Sequence, residues 1–448
     1  MEISPSSATV PLVSAVATLP AALAAPDPAA ALAPVEPPAS PCRFCGAPLD
    51  VTFANLGTSP LCQDHIRPHK FNHAEAFYPL HARVCRNCFL VQLDEFVTSA
   101  EIFQNDYAYF SSYSASWLRH ARRYTDLAAE RFGLGADSLV VEVASNDGYL
   151  LQYFVEKQIP VLGIEPAANV AAVARQKGID TLVRFFGRDT ARHVAATVGQ
   201  ADLLLGNNVL AHVPDINDFV AGMQLLLKPE GVITMEFPHL LRLVEGNQFD
   251  TIYHEHFSYL SFYTVERIFA HHGLTLFDVE ELPTHGGSLR IYARHAAHTA
   301  RPVSERVAEL RTRELAAGIT DLAYYTAFEE QAKETKRKLL EFLIEVKRAG
   351  KTVVGYGAPG KGNTLLNYCG IRTDFLDYTV DLSPHKQGNF LPGTRIPICH
   401  PDRIRQTRPD YVLILPWNLR EEIMEQMTDV RSWGGRFVVP IPEVRVFE

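Results

Sequence analysis

The stretch "SLVVEVASNDGYLLQYFVEKQIPVLGIEPAANVAAVARQKGI", beginning at Ser138, constrains the fold more than any other part of the chain. A buried strand, a tight turn, a helix and a second strand ending in an acid make the first unit of a nucleotide-binding α/β domain. The turn "ASNDG" is not G-x-G-x-x-G. A dinucleotide's diphosphate needs several glycines at a helix N-terminus. S-adenosylmethionine (SAM) carries no phosphate and asks only for close backbone approach and a few polar groups. Glu165 falls 23 residues after Glu142, at the end of the second strand, where a carboxylate can accept both ribose hydroxyls. The pattern favours SAM over NAD. It makes Ala144, Asn146, Asp147, Gly148 and Glu165 the expected cofactor contacts.

Further on, "ADLLLGNNVLAHVPDINDFVAGMQLLLKPEGVITMEFPHL" supplies a strand ending at Asn207 and Asn208, a helix, a Lys-Pro-Glu-Gly turn and another strand. That order is the usual layout of class I methyltransferases. Asn207, Asn208 and His212 lie at or just past the carboxyl edge of the sheet, where open α/β sheets bind ligands. A lone histidine at such a place is more often structural than a contact.

Upstream, "PCRFCGAPL" and "ARVCRNCFLVQL" place Cys42, Cys45, Cys85 and Cys88 as two C-x-x-C pairs separated by 39 residues. This is the spacing of two knuckles that close a tetrahedral zinc site. Four thiolates leave no open position for water, so the expected zinc is structural. Cys62, unpaired between the knuckles, reads as a core residue rather than a fifth ligand. Cysteines used in this way point to a reducing cytoplasm.

The last segment opens with a charged helix around "YYTAFEEQAKETKRKLLEFLIEVKRAGK" and continues as alternating strands and helices, a second α/β layer. Its turn "GYGAPGKGNT" matches the phosphate-cradling G-x-x-x-x-G-K-[ST] through Lys361 and then fails, because Gly362 stands where Mg²⁺ needs a hydroxyl. A hydrolase would also need an acidic metal ligand at a later strand end, a place Asp381 could fill. Backbone amides at a helix start and one lysine suit a diphosphate that is held and not hydrolysed.

Between these layers lies "FDTIYHEHFSYLSFYTVERIF". Tyr253, His254, Glu255 and His256 put four proton-handling or hydrogen-bonding groups in a row. In an extended segment Tyr253 and Glu255 would share one face and the two histidines the other. The strip is not H-E-x-x-H, whose histidines sit four apart on a helix. Downstream, "THGGSLR" offers Ser288 and Arg290 as anion or hydroxyl contacts. Upstream, "NDYAYFSSYS" carries Tyr107, Tyr109 and Tyr113 at a domain junction.

Composition removes several classes. A net charge of -9, from 42 basic and 51 acidic residues, speaks against a general nucleic-acid or anionic-membrane binder. No apolar run reaches the roughly 18 to 20 residues that span a bilayer. The first 40 residues hold twelve Ala and no Lys or Arg, a poor signal or transit peptide and a better disordered tail. A cytoplasmic monomer is expected.

Taken in order, "CRFC…CRNC", "DYAYFSSYS", "EVASNDGYLL", "GIEPAANVA", "NNVLAHVPD", "IYHEHFSYLS", "HGGSLR", "GYGAPGKGNTLLN" and "DLSPHKQGNFLPGTRIPI" resemble the nucleotide-sugar C-methyltransferases, from about Cys42 to the C-terminus. The resemblance implies an α/β protein: a small zinc-binding N-terminal module, a central Rossmann-like class I SAM methyltransferase domain and a C-terminal Rossmann-like domain that helps hold the nucleotide sugar. The expected boundaries are 1–41 for the tail, 42–110, 111–300 and 301–448. Carried over by motif, His256 looks like the base, Tyr253 and Glu255 like sugar-site partners, and Tyr107 like a fourth member. Ala144 departs from the family, which usually has glycine there.

The implied chemistry is methylation of a carbon beside the ketone of a 4-keto nucleotide sugar. Such a carbon becomes nucleophilic only when a base removes its proton and the enolate is stabilised. His256 would take the proton, a tyrosine would hydrogen-bond the oxyanion, and Glu255 would fix the imidazole or the sugar. Two other readings use the same central domain: an O- or N-methyltransferase on another small metabolite, and a zinc-containing scaffold that binds SAM without catalysis.

Overall fold

The computed structural model describes residues 40–103, 107 and 109–448. The tail expected over 1–41 lies outside them except for its last two residues.

Three sheets follow one another along the chain. The first begins with β1 (Val51–Ser59), β2 (Tyr78–Val84) and β3 (Val91–Leu93), an antiparallel meander. The helix Ala115–Phe132 then leads into the central layer. Ser114 caps its start by accepting from Trp117 N at 3.3 Å, and Gly133 ends it in the left-handed region.

The central sheet is built from β4 (Val140–Val143), β5 (Val161–Ile164), β6 (Thr181–Leu182), β7 (Ala201–Asn207) and β8 (Leu227–Pro238), all parallel. All four residues of β4 are buried, as expected where helices cover both faces of a parallel sheet. The Lys-Pro-Glu-Gly segment is not a free turn. β8 already pairs at Leu227 with Ala201, and a register irregularity absorbs Lys228 to Gly231 before pairing resumes at Val232.

The chain then leaves this sheet. β9 (Ser258–Tyr259) pairs with β3 and completes the N-terminal sheet, in the order β1-β2-β3-β9. It returns as the antiparallel hairpin of β10 (Leu274–Leu282) and β11 (Ser288–His295), giving the central order β10-β11-β8-β7-β4-β5-β6. The third sheet holds β12 (Val353–Tyr356), β13 (Thr379–Val380), β14 (Ile398–Cys399), β15 (Tyr411–Ile414), β16 (Arg436–Val439) and β17 (Arg445–Phe447), in the order β14-β13-β12-β15-β16-β17. Only β17 runs antiparallel.

Strand order reverses between β4 and β7 in the central sheet and between β12 and β15 in the third. Such switch points open a crevice at the carboxyl ends of the strands. Here the two crevices face one cavity.

One apolar core runs from the N-terminal sheet into the third sheet. Phe53 of β1, fully buried, stacks on Phe328 with ring centroids 4.5 Å apart. Phe328 opens the helix Phe328–Arg348, whose buried stripe of Ala332, Leu339 and Leu343 packs in the same cluster as Val353 and Leu413. Contacts of this kind make Ser40–Glu448 one compact unit.

Candidate active site

The cavity has a volume of about 490 Å³ and is lined by the carboxyl edge of the central sheet, the aromatic segment around Tyr107, the 253–256 strip and the loops that follow β12 and β15. At its first end stands the turn after β4. Ala144, Asn146 and Asn208 all adopt positive φ, of 56°, 49° and 55°, conformations that L residues other than Asn and Asp seldom take. For Ala144 this explains why glycine is the usual residue there. Glu165, 5% exposed, accepts from Asn146 N at 3.0 Å and from Ala167 N at 2.8 Å. Burial pushes its carboxyl up to about 7.

These residues fit SAM. Ala144, Asn146, Glu165, Asn207, Asn208 and His212 all line the cavity, and Asn208 Oδ1 is buried without a hydrogen-bond partner. Two expected contacts fall outside it. Asp147 turns away to accept from Ser112 N at 3.3 Å and pair with Lys177 at 3.5 Å, and Gly148 packs on Ile179 and Ala174. Asn146 does double duty, because its side chain accepts from Ser111 N at 2.8 Å and donates to the Tyr109 carbonyl at 3.2 Å. It thereby fastens the aromatic segment that brings Tyr107 into the cavity.

The middle of the cavity holds the histidine strip, and here the extended reading is corrected. His256 N donates to Tyr253 O at 2.8 Å, which closes a turn and puts Tyr253 and His256 on the same side, ring centroids 4.0 Å apart. His254 points the other way, its Nε2 against Pro79 O at 3.1 Å. Tyr253, Glu255 and His256 line the cavity and His254 does not.

His256 Nδ1 lies 2.8 Å from the Thr251 carbonyl. A carbonyl only accepts, so Nδ1 carries the proton and Nε2 keeps its lone pair. The imidazole is therefore oriented by Thr251 and not by Glu255. Burial, with His212 stacked edge-on at 4.7 Å, holds His256 well below the usual imidazole range, so it stays neutral. His212 is hydrogen-bonded to the Glu255 backbone and so borders the strip as well as the cofactor end.

Glu255, 5% exposed, accepts from the Cys62 thiol at 3.3 Å on one oxygen and from the Tyr107 hydroxyl at 3.4 Å on the other. Burial lifts its carboxyl to about 7 against those two donors and the charge of Lys386. Burial also holds the phenols of Tyr107 and Tyr253 well above their ordinary range. They are neutral donors.

At the second switch point, the helix Gly360–Cys369 starts against the cavity. Lys361 Nζ donates to Asn418 Oδ1 at 2.9 Å and sits 4.5 Å from the Trp417 ring centroid. Trp417 Nε1 donates to buried Asp250 at 2.7 Å, and Asp250 is raised to about 6 by burial, with Lys361 opposing. A Cβ at Gly362 would come within 2.9 Å of Leu415 Cβ, so the Ser or Thr of a hydrolase loop has no room. Asp381 accepts from Ala358 N and Ser383 N, each at 2.8 Å, and these contacts make it a loop brace.

Ser288 and Arg290 are corrected too. Neither lines the cavity. Ser288 Oγ donates to Thr284 O, and Arg290 is spent on Glu236 at 2.8 Å and Glu280 at 3.4 Å. Five residues not singled out beforehand line the cavity instead: Gln63, Trp117, His285, Lys386 and Asn418. Trp117 alone had a signal, its place on the inner face of a capped helix.

Apart from the cavity, Cys42, Cys45, Cys85 and Cys88 bring their sulfurs within 4.8 Å of one another. Tetrahedral zinc with bonds of about 2.3 Å asks for sulfur separations near 3.8 Å, and the pairs Cys42–Cys88 and Cys45–Cys85 stand at 3.5 Å. Gln92 Nε2 donates to Cys42 Sγ at 3.2 Å and orients it. The donor set fits a structural zinc. Among the described residues no helix is long and apolar enough to cross a membrane.

Family models match in chain order: a zinc binding domain over residues 42–103, a methyltransferase domain over 116–279 and a C-methyltransferase C-terminal domain over 283–442. The C-methyltransferase NovU of Streptomyces niveus is 38% identical over 91% of this chain and 97% of its own length. Among solved structures, the magnesium protoporphyrin IX methyltransferase of Synechocystis PCC 6803 covers 39% of this chain and 78% of its own at 13% identity and a TM-score of 0.30. A SAM-dependent methyltransferase of Mesorhizobium loti covers 40% of this chain and all of its own at 15% identity and a TM-score of 0.32. The chain belongs to the SAM-dependent C-methyltransferase family whose members carry an N-terminal zinc-binding module.

Proposed function

We propose that this enzyme methylates a carbon next to the ketone of a 4-keto-deoxy nucleotide sugar through a base-generated enolate, as a step in making branched deoxysugars. The observation that carries the reading is His256, neutral and fixed by Thr251 so that Nε2 is the available base. A methyltransferase acting on oxygen or nitrogen would not need a base placed beside a carbonyl. Identity to a C-methyltransferase supports the same choice.

In this reading His256 Nε2 removes the proton, and Tyr253, a neutral donor beside it, hydrogen-bonds the oxyanion. Burial lowers the imidazole's basicity, but the imidazolium formed next to an enolate in a dry site regains much of that loss by charge pairing. SAM supplies the electrophilic methyl group to the carbanion. Glu255, held by Cys62 and Tyr107, accepts a sugar hydroxyl. Lys361 and Asn418 receive the diphosphate at the second switch point, with the amides at the helix start. The parts are a zinc module over 42–110, the SAM domain over 111–300 and the nucleotide-sugar domain over 301–448.

The deciding experiment incubates the protein and labelled SAM with a panel of keto-sugar nucleotides and locates the new methyl group. Label on a carbon alpha to the ketone supports the reading, whereas label on oxygen or nitrogen refutes it.

A further inference from the structure

One thiol stands at the seam where the N-terminal loop, the 253–256 turn and the helix Gly360–Cys369 meet. Cys62 is 4% exposed and lies apart from the four clustered sulfurs. Its Sγ donates to Glu255 Oε1 at 3.3 Å, and Tyr107 donates to Oε2 at 3.4 Å. Each oxygen of a buried, flexible side chain thus has one donor. A Cβ built at Gly360 would meet the Cys62 sulfur at 3.0 Å and Tyr253 Cζ at 3.5 Å. The helix start therefore backs both residues and leaves the thiol little room to swing away.

We propose that Cys62 is a positioning residue, whose S–H holds the Glu255 carboxylate in the orientation that faces the substrate. This rests on the reading of Glu255 as a substrate-site carboxylate. Burial and the neighbouring Glu255 keep the thiol well above its ordinary range, so it remains a donor and never competes as an anion. The groups facing Glu255 are Cys62 from the N-terminal loop, Tyr107 from the aromatic segment, Tyr253 from its own turn and Lys386 from the third layer, with His212 on its backbone. A donor favours the ionised carboxylate, so removing Cys62 should make Glu255 harder to ionise.

The test is the pH profile of kcat/KM for a dTDP-linked 4-keto-6-deoxyhexose, with SAM kept saturating at every pH so that Glu165 does not shape the limb, for the parent, Cys62→Ala, Cys62→Ser and Glu255→Gln. Glu255→Gln should abolish the acid limb, and Cys62→Ala should move it up by about half a unit to one unit, as loss of one weak hydrogen bond to a charged group requires. Cys62→Ser, which still donates, should return the limb toward the parent position. If Glu255→Gln flattens the limb but neither cysteine variant moves it, Cys62 is packing alone and the proposal is overturned. If the limb survives Glu255→Gln, the reading of Glu255 fails and takes the proposal with it. Should the alanine variant not fold, a serine variant with a displaced limb and unchanged Tm overturns the proposal equally.

Discussion

The Nδ1 atom of His256 lies 2.8 Å from the carbonyl oxygen of Thr251, and that contact decides which ring nitrogen is left to act. His256→Asn keeps a polar group of similar size but no base. Methyl transfer should fall by roughly 10² to 10⁴, the usual contribution of a positioned general base, while SAM affinity measured by titration stays near the parent value. A substrate deuterated at the reacting carbon should lose its label to solvent with the parent and keep it with the variant. Near-parent methylation by His256→Asn would move the base elsewhere.

Lys361 is the half-buried cation at the second switch point, lying over Trp417 and bonded to Asn418. Lys361→Ala should raise KM for the nucleotide sugar roughly tenfold or more, since a charge-assisted contact is worth about 1.5 to 3 kcal/mol. Saturated turnover should hardly change. A fall in kcat at constant KM would take the lysine out of ground-state binding.

Glu165 gives the cofactor site a pH dependence of known sign. Its carboxyl is raised to about 7 by burial, so lowering the pH through 7 protonates it and removes acceptor capacity and charge. The SAM Kd should rise as pH falls from 8 to 6, toward tenfold per unit for a single required ionisation. Glu165→Gln should bind weakly and without that slope. A parent Kd that does not vary across this range excludes Glu165 as an ionised contact.

Purified protein should hold about one zinc, on Cys42, Cys45, Cys85 and Cys88. Cys85→Ser should lower soluble yield and Tm, because a structural site contributes folding energy directly. Metal analysis without zinc, on protein never exposed to chelator, refutes this.

Ala144→Gly reverses the ordinary rule for that substitution. In a standard conformation it costs about 0.5 to 1 kcal/mol, but φ is 56° here and a Cβ in the left-handed region costs roughly 1 to 2 kcal/mol. The variant should be as stable as the parent or up to about 1 kcal/mol more stable in denaturant titration. A clear loss of stability would show that the Ala144 methyl group contributes more by packing than its backbone strain costs.

What could be read from the sequence was whatever local chemistry dictates. The β4 turn and Glu165, the sulfur pairs and the Gly360 helix start all carried spacing that allows few alternatives, and each lies where its pattern put it. The strip at 253–256 was legible in composition and not in direction. An extended reading splits Tyr253 from His256, and only the long-range pairing of β9 with β3 forces the turn that joins them. Arg290 looked like an anion contact because a sequence does not reveal that Glu236 and Glu280 are folded against it. Lys386 and Cys62 were unremarkable for the same reason. They acquire meaning when distant loops meet.

The stacking of Phe53 on Phe328 has a consequence for how the molecule comes apart. The two outer layers grip each other past the middle one, so the chain is clasped like a closed bracelet rather than strung like beads. Cutting out residues 116–279 as a minimal methyltransferase would lose the clasp and leave Leu240, Leu243, Phe249 and Ile252, which pack in the same core, facing water. A chain readable as three successive pieces should therefore melt in fewer steps than it has pieces.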